Sequence, residues 1–222
     1  MPVLSVPYFI QPTASHCQAT CLKMMAAHLD RKLGQPVRHR DIFKIKETVN
    51  GGAGRPSPHH NAWANFEWWL RQEFGAYADF KLDTTTVTDV AVATIRKSIA
   101  AGFPVLVSTN HQNTKGHIVL VIGVKAQGPD GLVEPPTGPV SAYWRFVCHD
   151  PYGAFDPQLG DPRHGARRFE GGVSTDGGEH GPGEAVAYNI AGIRRVREDR
   201  HSTDTFLLLR ATKLHLSPVC AI

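Results

Sequence analysis

One cysteine of the chain stands where a thiol could be activated. Cys17 opens an apolar segment of helix-forming composition, and Gln11 lies shortly before it. A thiol at a helix N-terminus feels the positive end of the helix dipole, which favours the nucleophilic thiolate. A glutamine amide can donate hydrogen bonds to the oxygen of a reacting carbonyl group. The pair therefore indicates nucleophilic chemistry at a carbonyl carbon.

Two later segments contain the groups that such a thiol needs. Gly116 and His117 begin one apolar run, and Asp150 follows another at the start of an Asp-Pro-Tyr-Gly turn. An imidazole can take the thiol proton, and a carboxylate can fix the tautomer of that imidazole. Cysteine, then histidine, then carboxylate is one order in which thiol hydrolases are assembled. His149 would point to the opposite strand face from Asp150, which favours Asp150 as the partner.

Each of these residues also has a purely structural interpretation. Cys17 could be a small buried hydrophobic residue, as many free cysteines are. His117 could begin a buried strand, Asp150 could serve only the turn, and Gln11 could be a polar loop residue. Cys21 lies deeper on the same helix and is interpreted as packing. The ordered set as a whole favours catalysis over these separate explanations.

Composition limits the classes of protein to which the chain can belong. Its 222 residues are 41% hydrophobic and 20% charged, with a net charge of +4, which predicts a packed single domain spanning 1–222. No dense Lys/Arg run indicates nucleic-acid binding, and no apolar run could span a bilayer. No zinc-binding motif is present, so neither metal nor another cofactor is expected. The four cysteines are expected to be mostly reduced, and they are Cys17, Cys21, Cys148 and Cys220.

The N-terminal sequence has no basic region and no small-residue cleavage site typical of a secretory signal. This predicts a soluble protein that is cytoplasmic as synthesised. Export by a route that reads no such signal, or release by lysis, stays open.

The first half of the chain reads as an extended segment followed by helices. An extended stretch is expected over 3–10, and helices over 17 to about 29, 40–49 and 61–74. The last of these is rich in aromatic residues, which are assigned mainly to the core, and Gly75 is expected to cap it. A strand is predicted over 77–82. Thr88 and Asp89 are then expected to cap a helix that runs to about 101 and is closed by Gly102.

The second half of the chain reads as a sheet. Strands are predicted over 103–109, 117–124, 142–149 and 205–212, while 185–196 fits either a helix or a strand. The Gly/Pro-rich segments near 125–140 and 153–183 are interpreted as insertions. The first of them could instead be a long hairpin. Helices followed by antiparallel strands predict the α+β class.

These motifs together resemble the papain-like cysteine peptidases, and most closely the bacterial bacteriocin leader-processing type and its stand-alone relatives. Members of that group have a glutamine, a Cys-Gly-Pro-small-Cys-Leu run opening a helix, a Gly-His strand start and an Asp-Pro turn. Here the run reads Cys-Gln-Ala-Thr-Cys-Leu from Cys17. The resemblance implies a papain-like fold, in which a helical part carrying the nucleophile packs on an antiparallel sheet carrying His and Asp.

The resemblance also implies roles for individual residues. Cys17 would be the nucleophile, His117 the general base and acid, and Asp150 the residue that orients the imidazole. Gln11 and the Cys17 backbone N–H would form the oxyanion hole, in which each donor is typically worth about 3–4 kcal/mol. Gly116 is a further candidate for contacting the substrate.

One departure from the family pattern concerns the residue after the nucleophile. Gln18 stands where the family has a glycine that lets the substrate backbone approach. Its side chain is therefore expected at the substrate path, and Trp63 is a candidate for lining the same groove.

Three functional hypotheses follow. The first is a thiol hydrolase that cleaves a peptide or amide bond through an acyl-enzyme on Cys17, with a protein, leader-type peptide or peptidoglycan peptide as substrate. The second is a transferase in which an amine or thiol captures the same acyl-enzyme. The third is an inactive papain-like binding module, suggested by the Gln18 departure. No nucleic-acid or membrane partner is expected, and the sequence does not indicate an oligomeric state.

Overall fold

The computed structural model describes residues 3–13, 15–109, 117–135, 140–141, 143–155, 169–170, 183–190 and 206–215. In this part of the chain, three helices precede the first strand and a fourth lies between the first and second strands. They are α1 (Cys17–Lys32), α2 (Ile42–Gly51), α3 (Trp63–Phe74) and α4 (Thr88–Ala100). The strands are β1 (Ala78–Thr85), β2 (Val105–Thr109), β3 (His117–Gly128), β4 (Gly131–Val133), β5 (Trp144–His149), β6 (Ala154–Phe155), β7 (Phe169–Glu170), β8 (Val186–Asn189) and β9 (Phe206–Leu214).

The main sheet has the strand order β1-β9-β2-β3-β5-β8, and β4 pairs with β3. All of its paired strands are antiparallel. The strands β6 and β7 form a separate two-stranded sheet. Helices packed on an antiparallel sheet place the fold in the α+β class, as the sequence predicted.

Side chains from both faces of the sheet are buried. Leu106 and Leu120 pack with α1, α2 and α3 in one core, whereas Val105 and Val119 pack with α4 in another. Successive residues of a strand point to opposite faces, so the sheet is covered on both sides. This double burial explains why β2 and β3 read as continuous apolar runs rather than as alternating ones.

The helix that carries the candidate nucleophile is almost entirely buried along its length. It begins at Cys17, as predicted, after His16, whose side chain makes no cap hydrogen bond to the first turn. Its buried residues include Cys21, Leu22 and Met25, and it packs on β3 and α2. This packing holds the first turn of α1 against the strand that begins at His117.

The predicted helix ends are corrected in one detail. Val87, not Thr88 or Asp89, precedes α4 as its N-cap, and it makes no side-chain cap hydrogen bond. Gly75 is the C-cap of α3, as predicted; it is right-handed, with φ of −58°, and its N–H donates to the Arg71 carbonyl. The positive φ of +81° at Gly102 does suit the end of α4.

The ambiguous segments of the second half resolve where the structure describes them. The stretch 186–189 forms a strand, β8, and 125–133 forms a hairpin of β3 and β4. Most of 153–183 lies outside the described residues. Cys17, Cys21 and Cys148 are free thiols, and Cys220 lies outside the described residues. Within the described ranges no helix is both long and apolar enough to cross a membrane.

Candidate active site

A buried histidine–carboxylate pair lies where β3 begins and β5 ends. The Nε2 atom of His117 is 2.7 Å from Oδ1 of Asp150, and both side chains are almost completely buried. The antiparallel pairing of β3 with β5 sets Leu120 opposite His149, which places the start of one strand beside the end of the other. Strand pairing alone therefore accounts for the meeting of these two residues.

The Asp150 carboxylate accepts hydrogen bonds from three directions. Besides His117, the backbone N–H of Tyr152 donates to Oδ1 at 2.9 Å, and the Tyr188 hydroxyl donates to Oδ2 at 2.9 Å. A carboxylate buried without donors would become neutral, whereas one with several donors keeps its charge. These contacts favour an ionised Asp150 beside His117.

The backbone of Asp150 is held by two segments that are distant in sequence. Its carbonyl accepts from the Tyr8 hydroxyl at 2.9 Å, and its N–H donates to the Gly183 carbonyl at 2.8 Å. The Gln11 N–H donates to the Pro151 carbonyl at 2.8 Å, which ties the N-terminal segment to the same turn. The turn is thus fixed from both sides.

His117 carries a strongly shifted pKa. Burial by itself lowers the pKa of the imidazole, but the charge and hydrogen bond of Asp150, with a hydrogen bond to Cys17, raise it to about 10. Because Nε2 is occupied by Asp150, Nδ1 is the ring nitrogen left for the thiol. At neutral pH the imidazole is therefore cationic, and it contacts a sulfur at the N-terminus of α1.

Gln11 is fully buried six residues before the candidate nucleophile. Its Nε2 donates to the Thr13 carbonyl at 2.8 Å, which leaves one amide hydrogen that this contact does not use. Its Oε1 is buried and has no hydrogen-bond partner in the described part of the chain. A buried orphan acceptor is costly, which is consistent with a residue kept for another task.

The Gln18 side chain is buried beside the candidate nucleophile and is held by a hydrogen bond to Asn61. It is 2% exposed, and its Nε2 donates to Oδ1 of Asn61 at 2.6 Å. Its Oε1 faces the Cys17 sulfur at 3.5 Å. The nitrogen of the side chain points to the loop before α3, because Asn61 in that loop is its acceptor. The oxygen remains beside the nucleophile.

The other candidates fall into less direct positions. Trp63 is half-buried and packs on the core and against the Phe66 ring, with centroids 5.5 Å apart. Cys21 is buried and donates to the Ile118 carbonyl at 3.4 Å, and burial raises its thiol pKa. Gly116 lies outside the described residues.

His149 is turned away from the pair formed by His117 and Asp150. Its Nε2 contacts the Val6 carbonyl at 2.9 Å, and its Nδ1 accepts from the Ala185 N–H at 3.1 Å. Burial lowers its pKa, so the ring is neutral at neutral pH. These contacts make His149 a link between the N-terminal segment and the segment before β8.

The sequence did not single out Tyr8, Tyr188 or Asn61. Tyr188 lies in the segment whose secondary structure was ambiguous, and Tyr8 lies in an extended segment with no motif. Asn61 precedes the aromatic helix and has a positive φ of 57°, a conformation that asparagine tolerates better than most residues. No local pattern points any of them toward Cys17 or Asp150.

One family model matches the larger part of the chain. Residues 3–170 match the family model of the Peptidase_C39 like family. The match covers more than half of the chain, so the protein belongs to this family of cysteine peptidases, as the resemblance predicted. No curated protein and no solved structure gives a significant match to the chain. The segment containing Tyr188 lies beyond the matched residues.

Proposed function

We propose that the protein hydrolyses a peptide or other amide bond through an acyl-enzyme on Cys17. The observation that carries this proposal is the buried His117–Asp150 pair, 2.7 Å apart, with its imidazole bonded to a thiol at a helix N-terminus. Each group is of the chemical type that its proposed role requires. The family membership supports the same class of reaction.

The proposed reaction has two halves. The Cys17 thiolate attacks the carbonyl carbon, an S–C bond forms, and the imidazolium of His117 gives its proton to the leaving nitrogen as the C–N bond breaks. Water then attacks the thioester while His117 takes the water proton. Breaking the S–C bond releases the carboxylic acid and restores the thiol site. Between the two halves the imidazole is neutral, and Asp150 keeps it oriented so that it can take the water proton; Asp150 then stabilises the cation that this step restores.

The oxyanion formed in each half requires donors. The Cys17 backbone N–H at the start of α1 and the remaining amide hydrogen of Gln11 are the donors proposed here. Each such donor is typically worth about 3–4 kcal/mol of transition-state stabilisation. The burial of Gln11 supports this role, because a donor in a dry site needs no reorganisation during the reaction.

The substrate class is proposed to be a protein, a leader-type peptide or a peptidoglycan peptide that carries anionic groups. A cavity of about 500 Å³ lies between the N-terminal segment and α1, and its lining includes Lys23, Arg31 and Arg38 with one acidic residue, Glu184. None of Gln11, Cys17, His117 and Asp150 lines this cavity, and Arg38 is paired with Asp30 and Glu73. Lys23 and Arg31 therefore favour negative charge in a part of the substrate away from the cleaved bond. The Lys23→Gln, Arg31→Gln double variant is expected to raise KM for acidic peptides and not for neutral ones.

The central experiment replaces Cys17 with alanine and measures turnover of a peptide panel and of a cell-wall preparation. Loss of all cleavage is expected, while Cys21→Ala on the same helix should keep activity because its thiol is buried and bonded to a carbonyl. Retained cleavage in the Cys17 variant would overturn the proposal. Mass spectrometry of products with added amine separates hydrolysis from transfer, and hydrolysis product alone is expected.

A further inference from the structure

Three side-chain amides form a chain of hydrogen bonds that ends at the candidate nucleophile. It runs from Asn50 at the end of α2, through Asn61 before α3, to Gln18 in the first turn of α1. Gln18 is 2% exposed, although its side chain is polar. Asn50 is half-buried and Asn61 is exposed. The orientation of each amide can be followed from one residue to the next through its hydrogen-bond partners.

The orientation begins at two backbone groups. Asn50 Oδ1 accepts the backbone N–H of Asn61 at 2.6 Å, and Asn50 Nδ2 donates to the Lys46 carbonyl at 3.0 Å. A backbone N–H can only donate and a carbonyl can only accept, so these two contacts fix which end of the Asn50 amide is the nitrogen. That nitrogen also faces Asn61 Oδ1 at 3.5 Å.

The contact with Asn61 also fixes which end of the Gln18 amide is the nitrogen. Asn61 Oδ1 accepts from Gln18 Nε2 at 2.6 Å, so the other end of the Gln18 amide must be its oxygen. That oxygen lies 3.5 Å from the Cys17 sulfur, where it accepts the thiol hydrogen. An amide oxygen stabilises S–H as a donor, but it faces S⁻ with the negative end of its dipole. The amide chain therefore opposes the effect of His117 and the helix N-terminus.

We propose that Gln18 is a positioning residue that accepts a hydrogen bond from the Cys17 thiol and shifts the balance at Cys17 from the thiolate toward the thiol, with Asn61 and Asn50 fixing its amide. This inference rests on the proposed function, since it assigns a control to the proposed nucleophile. The restraint limits the resting population of thiolate, which is the form that oxidants and alkylating reagents attack. Gln18 thus lowers the reactivity of the thiol in the absence of substrate.

The test measures the rate of iodoacetamide alkylation of the intact protein from pH 5 to pH 9, by mass spectrometry of the Cys17 peptide. Gln18→Ala is expected to speed alkylation at pH 6 by about 2- to 10-fold, the factor associated with one ordinary hydrogen bond. Gln18→Glu is expected to slow it, because a carboxylate repels the thiolate. Loss of a merely structural contact would not move the two variants in opposite directions.

A second variant leaves α1 unchanged. Asn61→Gly suits the positive φ of 57° at this position and removes the acceptor that orients Gln18, so it should also speed alkylation. Gln127→Ala is the matched control, because this glutamine is exposed and contacts only the Gly128 carbonyl in the described part of the chain. It should alkylate as the unmodified sequence does.

The proposal is overturned if Gln18→Ala and Asn61→Gly alkylate at the unmodified rate or more slowly, or if Gln18→Glu alkylates faster. Alkylation needs no substrate, so these outcomes are independent of peptide cleavage. Hydrolysis that survives Cys17→Ala would instead overturn the proposed function and leave the measured restraint on the thiol in place.

Discussion

The carboxylate of Asp150 is shared between His117, at 2.7 Å from Oδ1, and the hydroxyl of Tyr188, at 2.9 Å from Oδ2. One oxygen therefore faces the imidazole and the other faces a strand from the far end of the chain. Strand pairing brings His117 and Asp150 together, and the contacts of both carboxylate oxygens then hold Asp150 against the imidazole.

Asp150→Asn is expected to move the alkaline limit of activity toward acid. The pKa of His117 is about 10, so the catalytic cation is present below that pH and is lost as pH rises through it. Without the charge and hydrogen bond of Asp150, burial is opposed by the contacts with Cys17, so the pKa of His117 should fall. The pH profile of kcat/KM should therefore lose its alkaline limb at a lower pH, and its maximum should fall by about 10- to 100-fold.

The same variant predicts a change in the pH dependence of stability. A histidine with a raised folded-state pKa contributes stability that is fully present below pH 6.5 and is lost as pH rises through about 10. The free energy of unfolding of the unmodified protein should therefore decline over this range more steeply than that of Asp150→Asn. Urea titrations at pH 6, 8 and 10 measure this free energy. The same pH dependence in both proteins would contradict an ion pair between His117 and Asp150.

Tyr188→Phe is expected to reduce kcat by about tenfold and to leave KM nearly unchanged. A hydrogen bond to a charged group is worth about 1.5–3 kcal/mol, and its loss frees one carboxylate oxygen to rotate. Tyr143→Phe is the matched control, since that side chain is 68% exposed. Equal kinetics for the two variants would show that the Tyr188 contact does not position Asp150.

Local signals in the sequence were sufficient for part of the site. The helix that starts at Cys17, the strand that starts at His117 and the turn that starts at Asp150 each follow from periodicity and turn residues close to them in the chain. The α+β class follows from the order of the same elements. These features are local, so no knowledge of distant contacts was needed to predict them.

The remaining contacts depend on topology. Tyr188 reaches Asp150 only because β8 pairs with β5, and Tyr8 reaches it only because the N-terminal segment passes the same turn. The direction of the Gln18 side chain depends on Asn61, 43 residues away. None of these pairings leaves a pattern within its own segment, so the sequence did not predict them.

Gly183→Ala is expected to disrupt the site by direct collision. A Cβ at this position would lie 1.9 Å from the Asp150 carbonyl oxygen, and backbone atoms there cannot move aside without breaking the turn. Activity should fall at least as far as in Tyr188→Phe, with a lower Tm. Gly51→Ala is the control, because a Cβ there would meet no atom within 4 Å. A fully active Gly183→Ala protein would contradict the described position of this segment.

Stability is expected to depend on a buried ion pair far from the chemistry. Asp30 is fully buried, and its carboxylate contacts the Arg40 guanidinium at 2.6 Å and 3.1 Å and the Arg38 backbone N–H at 2.9 Å. Burial acts to raise the pKa of Asp30, but the arginines hold it below its ordinary value. Its contribution to stability is therefore present above about pH 3.8 and is lost as pH falls.

Removing one partner of that pair leaves the other charge buried alone. Arg40→Met should lower the free energy of unfolding by about 3–5 kcal/mol, and the double variant Asp30→Asn, Arg40→Met should cost less than the sum of the single changes. Glu67→Gln, which breaks a more exposed pair with Arg71, should cost less than about 1 kcal/mol. Urea unfolding at pH 7 measures the free energy of unfolding of the two single variants, the double variant and Glu67→Gln against the unmodified protein. If the two charges interact, the second substitution costs less once the first has removed its partner. Additive costs for Asp30 and Arg40 would therefore show that the two charges are not coupled.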